Sequence, residues 1–374
     1  MIGTMPAGPL QEWRYLTLVE PLQVVKHFLA HPPMNFETAL TLSGTPVFFT
    51  EFDLLTTADE SLKRLLARLP LYRHWRRWLR PKSMFAGTTV SEYVPLPDNR
   101  SPGVLVDELL RGLLRDGRRE YSFLIVKDIP QASPLLDEAS NAFAEAFADE
   151  CRAAGFTLVA GQALAGVPID FSSAGEFVAR LSRGRRRDIR RKLRPRAGLA
   201  IEIIPAGASV FADAELRADM YRLYRNVYQQ SDVHFDLLTP AFFDAVLQDP
   251  TSGGRIFLYR HGDRMIGHNV CFVVGDTLVD KYIGFEYPAA RDFNLYVVSW
   301  MLNLDFAASQ GLKRYVAGWT DPEIKAHLGA HFTFTRHAVY PLNRLLRSLL
   351  KMFRRRFESD RAWFDRRFHE TDRS

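Results

Sequence analysis

The chain has 374 residues, of which 47% are hydrophobic and 25% charged, and its formal net charge at pH 7 is +6. These values exclude an intrinsically disordered chain and are typical of a folded protein long enough for two domains. The only two cysteines, Cys151 and Cys271, lie far apart and have no Cys/His pair at metal-ligand spacing beside them. The sequence therefore indicates neither a disulfide framework nor a bound metal.

Several common classes of protein are also disfavoured. The sequence contains no apolar run long enough to span a membrane, and its first residues lack the basic-then-apolar pattern of a secretory signal. It contains no P-loop, no GxSxG elbow, no HExxH motif and no paired CxxC motif, so nucleotide hydrolysis, serine hydrolase chemistry and metalloprotease chemistry have no support. We expect a cytoplasmic protein.

The first 172 residues are predicted to form one mixed α/β domain. Strands are indicated by alternating or continuous apolar runs, and helices by apolar residues at helical spacing. The predicted strands are at residues 13–20, 36–55 (a hairpin turning at Ser43 and Gly44), 85–97, 121–130 and 156–170. The predicted helices are at residues 21–30, 61–79, 104–115 and 136–154.

Residues 173–198 are predicted to be a basic linker helix. Ser173 and Glu176 form the pattern of a capping box, and Pro195 ends the helix. Nine of the fourteen residues from 183 to 196 are basic. Such a density of like charge indicates an acidic partner, for which the phosphates of an acyl donor, tRNA and anionic lipid head groups are the candidates. The alternative is a helix whose arginines are simply solvated.

Residues 199–340 are predicted to form a second α/β domain with the same order of elements, which suggests a duplicated fold. A strand at 199–207 and two helices precede three strands separated by Gly-Asp turns at 262–263 and 275–276. A largely apolar helix at 294–310, a strand at 312–319 and a short polar segment at 321–329 follow.

Residues 341–374 are predicted to form a basic amphipathic tail helix, since leucines and phenylalanines follow the helical period and arginines lie between them. One interpretation is binding of residues 341–368 to an anionic membrane surface, on the inner face of the membrane. The other is packing on the protein's own core, with the arginines extending to water.

The ordered segments LSRGRRRDIRRKLR, YRNVYQQSDVHFDLLTPAFFDAV, KYIGFEY, NLYVVSWMLNLDFAASQG and EIKAHLG resemble the acyltransferases of the GNAT superfamily, in particular the two-domain FemAB-like branch. The resemblance covers roughly residues 171–335 and implies two tandem GNAT-like domains with mixed, mostly antiparallel sheets flanked by helices. It also implies an acyl donor that inserts between two strands, with its pyrophosphate at the start of the following helix.

In this chain that helix start is PAARDFN, where we expect cofactor-binding roles for Arg291, Asp292, Phe293 and Asn294. Free backbone amides and the helix dipole attract anions, and an arginine can add a bidentate contact. The segment departs from the usual glycine-rich turn because no glycine occurs between Gly284 and Gly311. Without a glycine, the backbone approaches a pyrophosphate less closely, so the segment supports acyl-CoA less strongly as the donor. Acyl carrier protein and aminoacyl-tRNA are the alternative donors.

Three residues are candidates for proton transfer. Strand alternation places Tyr282, Gly284 and Glu286 on one face, so Glu286 is the expected general base and Tyr282 the expected acid. His268 is a second candidate for the base. The alternative interpretations are a strand-end carboxylate paired with a cation for Glu286, and a structural histidine for His268.

Four further residues are candidate binding groups. Lys325 resembles the lysine that FemAB-like proteins place near the acyl donor or acceptor, although an ordinary solvated lysine is the alternative. Lys281, His234 and Asp236 are candidate acceptor contacts, and turn and cap chemistry is the alternative for the latter two. Substrate-binding arginines are also expected in the basic linker, namely Arg187, Arg190 and Arg191.

The sequence thus predicts an N-acyltransferase that transfers an acyl group from acyl-CoA or acyl carrier protein to an amine by direct attack. The acceptor would be a small molecule, a lipid or a peptide. Two alternatives stay open. One is a FemX-like aminoacyltransferase that uses aminoacyl-tRNA, and the other is a non-catalytic protein that binds membranes or polyanions.

Overall fold

The computed structural model describes residues 13–51, 53, 80–115, 121–231 and 235–353. The predicted helix at 61–79, His234 and the tail beyond residue 353 lie outside these ranges. The chain forms two compact units, each assembled from separate segments. Unit 1 comprises Met1–Val19, Asn35–Ala163 and Thr333–Ser374, and unit 2 comprises Glu20–Met34 and Leu164–Phe332.

Unit 1 contains a sheet in which strands β1, β2, β3, β4 and β11 lie side by side in that order. Its pairs are antiparallel except for the parallel pair β3 and β4. The strands are β1 (Glu37–Leu40), β2 (Pro46–Glu51), β3 (Lys82–Ala86), β4 (Phe123–Pro130) and β11 (His331–Pro341), with α2 (Pro102–Arg115) and α3 (Glu138–Ala153) packed on them. Strand β5 (Thr157–Pro168) begins in this unit and ends in unit 2, and β11 does the reverse.

Two predicted strands of unit 1 are wrong. Residues 13–20 form no strand and make one isolated bridge, between Tyr15 and Pro97. Strand β3 ends at Ala86, and residues 87–97 are an irregular segment that is buried almost throughout. Prolines that lack an amide donor interrupt this segment, and its backbone bonds instead to Thr17, whose hydroxyl donates to Val94 O at 2.5 Å.

Unit 2 contains the strand order β5, β10, β9, β8, β7 and β6. Only β9 and β10 are parallel, as expected where a helix connects neighbouring strands. The strands are β6 (Ala200–Pro205), β7 (Gly254–His261), β8 (Arg264–Val274), β9 (Thr277–Phe285) and β10 (Arg314–Gly318). The predicted hairpins turn at Gly262 and Gly275, which have positive φ values of 59° and 57°.

Helices cover the sheet of unit 2. They are α1 (Leu22–Ala30), α4 (Ala174–Arg180), α5 (Arg183–Lys192), α6 (Ala214–Gln230), α7 (Pro240–Gln248), α8 (Ala289–Asp292), α9 (Leu295–Ser309) and α10 (Pro322–His327). The predicted linker helix is two helices, because Leu181 and Ser182 adopt extended backbone between α4 and α5. The Ser173 side chain caps α4 at Glu176 N, as predicted, whereas the Glu176 carboxylate accepts from Ser172 N at 2.9 Å.

The core of unit 2 is built around α9, ten of whose fifteen residues are buried. Phe257, Cys271, Leu278 and Phe285 of the sheet pack against this helix in one apolar cluster. The mixed α/β architecture, with mostly antiparallel strands and flanking helices, confirms the predicted fold class.

Helix α11 (Arg344–Phe353) is the described part of the predicted tail helix. Leu345 and Met352 expose 75% and 66% of their surface, so part of the apolar face is not covered by the described residues. Arg347 instead lies over the ring of Tyr340, 4.0 Å from its centroid. Within the described ranges, no helix is both long and apolar enough to cross a lipid bilayer. Binding of this segment to a membrane surface stays a prediction.

Candidate active site

The parallel strands β9 and β10 separate after three residue pairs. Arg314, Tyr315 and Val316 lie opposite Thr277, Leu278 and Val279. Beyond this point β9 continues to Phe285 and β10 to Gly318 without further pairing between them. We call the opening beyond Val279 and Val316 the strand split.

A β-bulge on each strand marks the point of separation. Against β8, Cys271 pairs with Asp280 and Val270 with Tyr282, so Lys281 is the extra residue of β9. Against β5, Gly166 pairs with Val316 and Ala165 with Gly318, so Ala317 is the extra residue of β10. A bulge disrupts the hydrogen-bond ladder and bends its strand, and bulges often occur beside active sites. The two bulges therefore account for the strand split.

A polar cluster lies at the base of the strand split. The Asp280 carboxylate accepts hydrogen bonds from the Tyr315 hydroxyl at 2.8 Å and the Asn303 amide at 3.0 Å. Burial raises the pKa of Asp280, while the bond from Tyr315 and the positive charge of Lys325 oppose that rise. The structure thus holds an acidic group within an otherwise apolar core, where each of its contacts is electrostatically strong.

Lys325 is buried, with 3% of its surface exposed. It lies on α10, and its Nζ donates to the carbonyl oxygen of Ala317, the bulged residue of β10, at 2.6 Å. The alternative interpretation of a solvated lysine is therefore wrong. An ammonium group at this position brings positive charge to the strand split.

Lys281, the bulged residue of β9, forms an ion pair with Glu20 at 3.2 Å. Only 8% of the lysine side chain and none of the glutamate side chain is exposed. Glu20 precedes α1, far from β9 in sequence. Lys281, which was predicted to contact the acceptor, is thus part of a buried ion pair beside the strand split.

The predicted cofactor-binding residues surround the start of α9. Asn294 has a positive φ of 51°, and its side chain makes no capping hydrogen bond to the helix. Arg291 is exposed, stacks on the Tyr287 ring at 5.2 Å and donates to Gln230 at 3.1 Å. Asp292 is exposed, and the Phe293 ring packs against His261 at 4.8 Å. Arg291 is therefore the charged group of this segment that can reach an anion in solvent.

The candidate proton-transfer residues lie toward α6 and α7. Glu286 follows β9, is 14% exposed and is paired with Arg222 at 2.7 Å and Arg264 at 3.4 Å. Tyr282 is buried and packs edge-on against the Phe242 ring at 5.6 Å. The structure thus places Tyr282 and Glu286 on the same side of the strand, in agreement with the predicted alternation.

His268 is fully buried on β8, where neither ring nitrogen has a hydrogen-bond partner among the described residues. Burial lowers the pKa of His268 to about 3, so the ring is neutral at physiological pH. Its ring fills the space beside Gly284, where an added methyl group would lie 2.1 Å from His268 Cε1. This packing explains why the KYIGFEY segment has a glycine at that position.

Asp236 is half-buried near the aromatic residues of α6. Burial raises the pKa of Tyr224, and the negative charge of Asp236 adds to that rise. The Tyr224 hydroxyl accepts the Leu238 amide at 3.3 Å. The structure thus places Asp236 beside the face that carries Tyr282.

Helix α5 and the 3-10 helix Arg194–Gly198 that follows it present exposed arginines that line one groove. We call Arg183, Arg187, Arg190 and Arg194 the arginine face; none of them forms an ion pair within the described part of the chain. A groove of about 530 Å³ is lined by these four together with Arg186 and Arg191. Arg191 pairs with Asp188 at 2.6 Å. The predicted binding residues Arg187 and Arg190 therefore belong to a concave, strongly positive surface.

Helix α5, which carries most of the arginine face, is bonded to α10 through its other side. Arg185 donates to the His327 carbonyl oxygen at 2.7 Å, and His327 contacts Asp188 at 3.1 Å. On its inner side, Ile189 is fully buried. Helix α10 therefore contacts α5 through one end and the strand split through Lys325.

Sequence reasoning missed the acidic half of this site. Asp280 and Lys281 are two adjacent charged residues in an otherwise apolar strand. This break in the apolar pattern could have identified Asp280 as a candidate site residue. Glu20 offers no local signal, because its role depends on a residue 261 positions away. No group of three or more His, Cys, Asp or Glu side chains that could hold a metal occurs among the described residues.

An antiparallel meander, a buried helix and a parallel pair that splits at two bulges define an acyltransferase-like α/β fold. Residues 183–326 match the family model of the acetyltransferase (GNAT) domain. The predicted resemblance to the GNAT superfamily is confirmed.

Two kinds of known protein are similar to this chain. A Mycobacterium tuberculosis protein provisionally named 8-amino-7-oxononanoate synthase 2 is 29% identical over 210 residues, which are 53% of this chain and 26% of that protein. The chain thus spans about a quarter of the length of the curated relatives it matches. The solved structure of L-PGS from Bacillus licheniformis has a TM-score of 0.53 at 9% identity over 91% of this chain and 98% of that chain. FemX has a TM-score of 0.47 at 11% identity, over 88% and 98%. At these identities the structural likeness is one of fold.

Proposed function

We propose that this protein is an N-acyltransferase that transfers an acyl group from a thioester donor, acyl-CoA or acyl carrier protein, to an amine. The observation that carries the proposal is the strand split, which opens the GNAT-type domain between two bulges and places the Lys325 ammonium at its edge. An extended acyl donor would lie in this opening, and the start of α9 with Arg291 would face its phosphates.

The reaction would be a direct attack. The acceptor nitrogen bonds to the thioester carbonyl carbon, the carbon–sulfur bond breaks, one amine proton goes to a base and the thiolate takes a proton from an acid. Glu286 is the proposed base, because the second candidate, His268, has no exposed surface and a pKa of about 3. Tyr282 is the proposed acid.

Binding of the acyl donor can be measured directly. We expect acetyl-CoA or a long-chain acyl-CoA to raise the thermal midpoint, since a ligand that binds only the native state adds about 2.7 kcal/mol at about 100 times its dissociation constant. Glu286→Gln should then lower kcat by about a hundredfold or more without abolishing this binding. Glu202→Gln is the matched control, because Glu202 is exposed and paired with Arg260 on the surface. Full activity of Glu286→Gln would refute the assignment of the base.

The arginine face favours a second candidate, an aminoacyltransferase that draws on aminoacyl-tRNA. The four exposed guanidinium groups of the arginine face line one groove, and each could bind a phosphate in a planar, bidentate way. The concave shape of the groove suits a rod-like phosphate chain.

In that case affinity for tRNA should fall steeply with salt. We expect Arg187→Glu combined with Arg190→Glu to weaken binding at least tenfold and to lower the log–log salt slope by about 1 to 2, since each phosphate contact contributes about 0.7 to 0.9. The same change at two exposed arginines of unit 1, Arg14 and Arg100, is the control. Binding that does not depend on salt, or is equal in all variants, would eliminate this candidate.

A further inference from the structure

The apolar residues of helix α11 are exposed as a group, whereas those of the remaining surface are scattered. Nine large hydrophobic side chains are exposed among the described residues, and three of them, Leu345, Leu346 and Met352, lie within the ten residues of α11. Single exposed apolar side chains are normal in folded proteins, but a contiguous group of them marks an interaction site. The exposed group on α11 therefore indicates a binding surface.

The attachment of α11 to unit 1 turns this group away from the protein. Arg347 donates to the carbonyl oxygen of Pro341 at 3.1 Å, and its guanidinium lies over the Tyr340 ring. Residues two apart in an α-helix are about 200° apart around its axis, so Leu345 lies almost opposite Arg347. Met352 is about two turns beyond Leu345 and lies on the same side. Because Arg347 faces unit 1, Leu345 and Met352 form an apolar row that faces outward, in agreement with their exposures of 75% and 66%.

A row of positive charge runs beside the apolar row. Arg344 and Lys351 are exposed, each directly precedes a residue of the apolar row, and neither forms an ion pair with a described residue. The basic row and the apolar row are thus about 100° apart around the helix axis. Residues 344–357 include six basic residues and no acidic residue, so this segment contains no carboxylate that could neutralise the row.

A bilayer that carries anionic lipids is complementary to this arrangement. When the apolar row lies among the outer parts of the lipid chains, a basic row about 100° around the helix lies at the depth of the phosphate groups. Each cation close to an anionic lipid surface adds to binding. A second copy of this chain is a poorer match, because a twofold contact through α11 would bring the basic rows of both copies together, and the helix has no acid to separate them.

We propose that α11 is an interfacial helix that attaches the protein to a membrane surface rich in anionic phospholipid. Leu345 and Met352 insert between the lipid chains, and Arg344 and Lys351 contact the lipid phosphates. The proposal concerns unit 1 alone and does not depend on the proposed acyl transfer, so either one can fail without the other.

Sedimentation of the full chain with lipid vesicles tests the proposal. We expect binding to vesicles of phosphatidylcholine mixed with phosphatidylglycerol, weaker binding to phosphatidylcholine alone, and a loss of binding to the mixed vesicles as salt rises. Leu345→Gln combined with Met352→Gln should weaken binding to the mixed vesicles by about tenfold or more, because the apolar row no longer enters the lipid. Arg344→Gln combined with Lys351→Gln should weaken binding to the mixed vesicles by about tenfold and leave binding to phosphatidylcholine unchanged.

Leu42→Gln combined with Val104→Gln is the matched control, because these side chains of unit 1 are 74% and 43% exposed and lie outside α11. This variant should bind vesicles as the wild type does. All the substituted side chains are exposed, so each variant should keep the thermal midpoint of the wild type. Absence of binding by the wild type, or equal binding by the α11 variants, would overturn the proposal. A wild-type dimer that Leu345→Gln combined with Met352→Gln converts to a monomer, with vesicle binding unchanged, would assign the apolar row to a second copy instead.

Discussion

Replacing Glu20 by glutamine is expected to lower the free energy of unfolding by about 3–5 kcal/mol. The change keeps the shape of the side chain but removes the negative charge that faces Lys281 at 3.2 Å. Since almost none of this pair is exposed, water cannot replace the lost negative charge, and the ammonium of Lys281 loses its ion-pair partner in a desolvated position. Urea unfolding at neutral pH measures the effect.

Two controls separate this effect from ordinary surface electrostatics. Asp276→Asn removes one partner of an exposed ion pair with Arg314 and should cost no more than about 1 kcal/mol. Lys281→Met combined with Glu20→Gln removes both buried charges and should restore much of the loss. A Glu20→Gln variant as stable as the Asp276→Asn control would show that the pair contributes little.

The second large effect is a loss of stability in mild acid caused by His268. Its folded-state pKa of about 3 lies below the unfolded value of about 6.5, so the unfolded chain binds more protons between these two values. The stability that the neutral His268 contributes to the folded protein is therefore fully present above pH 6.5. It is lost as the pH falls, by at most about 1.4 kcal/mol per pH unit. Between pH 7 and pH 4 we expect a loss of about 3 kcal/mol from this residue.

His268→Leu provides the comparison, because leucine is similar in size and cannot be protonated. The variant differs from wild type by a constant packing term, whereas all other titrating groups are shared. The difference in the free energy of unfolding between the two proteins should change in favour of the variant as the pH falls from 7 to 4. A difference that stays constant across this range would mean that His268 is protonated in the folded protein as easily as in the unfolded chain.

Much of unit 2 could be predicted because its signals are local. Positive φ at Gly262 and Gly275 fixes the hairpins, and the alternation of β9 correctly separates Tyr282 from Phe285. Helix α9 was recognised from its apolar run and from Gly311 at its end, which has a positive φ of 66°. The strand errors lie in unit 1, where residues 13–20 make one isolated bridge and residues 87–97 are irregular, with the Val94 carbonyl oxygen bonded to the Thr17 hydroxyl. In unit 2, the predicted linker helix is two helices.

The candidate site was predicted only in part, because its charged groups are paired across the fold. Lys325 and Lys281 were recognised as candidates, but Glu20, the acid that pairs with Lys281, was not. The alternative interpretation of Glu286 was a carboxylate paired with a cation, and the structure pairs it with two, Arg222 and Arg264. Which cation pairs with which carboxylate depends on distances between secondary-structure elements, and these distances cannot be read from a single sequence.

The sequence by itself determined the order of strands and helices in the GNAT-type domain and the density of arginines on α5, because turns, periodicity and charge are properties of neighbouring residues. Only the tertiary structure decided where β9 and β10 part, which acid pairs with Lys281, where the buried Lys325 donates its hydrogen bond, and that His268 is neutral. These features arise from bulges, burial and contacts between residues as far apart as Glu20 and Lys281, 261 positions from each other. Desolvation acts on a group only after distant segments have packed around it, and for that reason the electrostatics of the site belongs to the fold and not to any one segment.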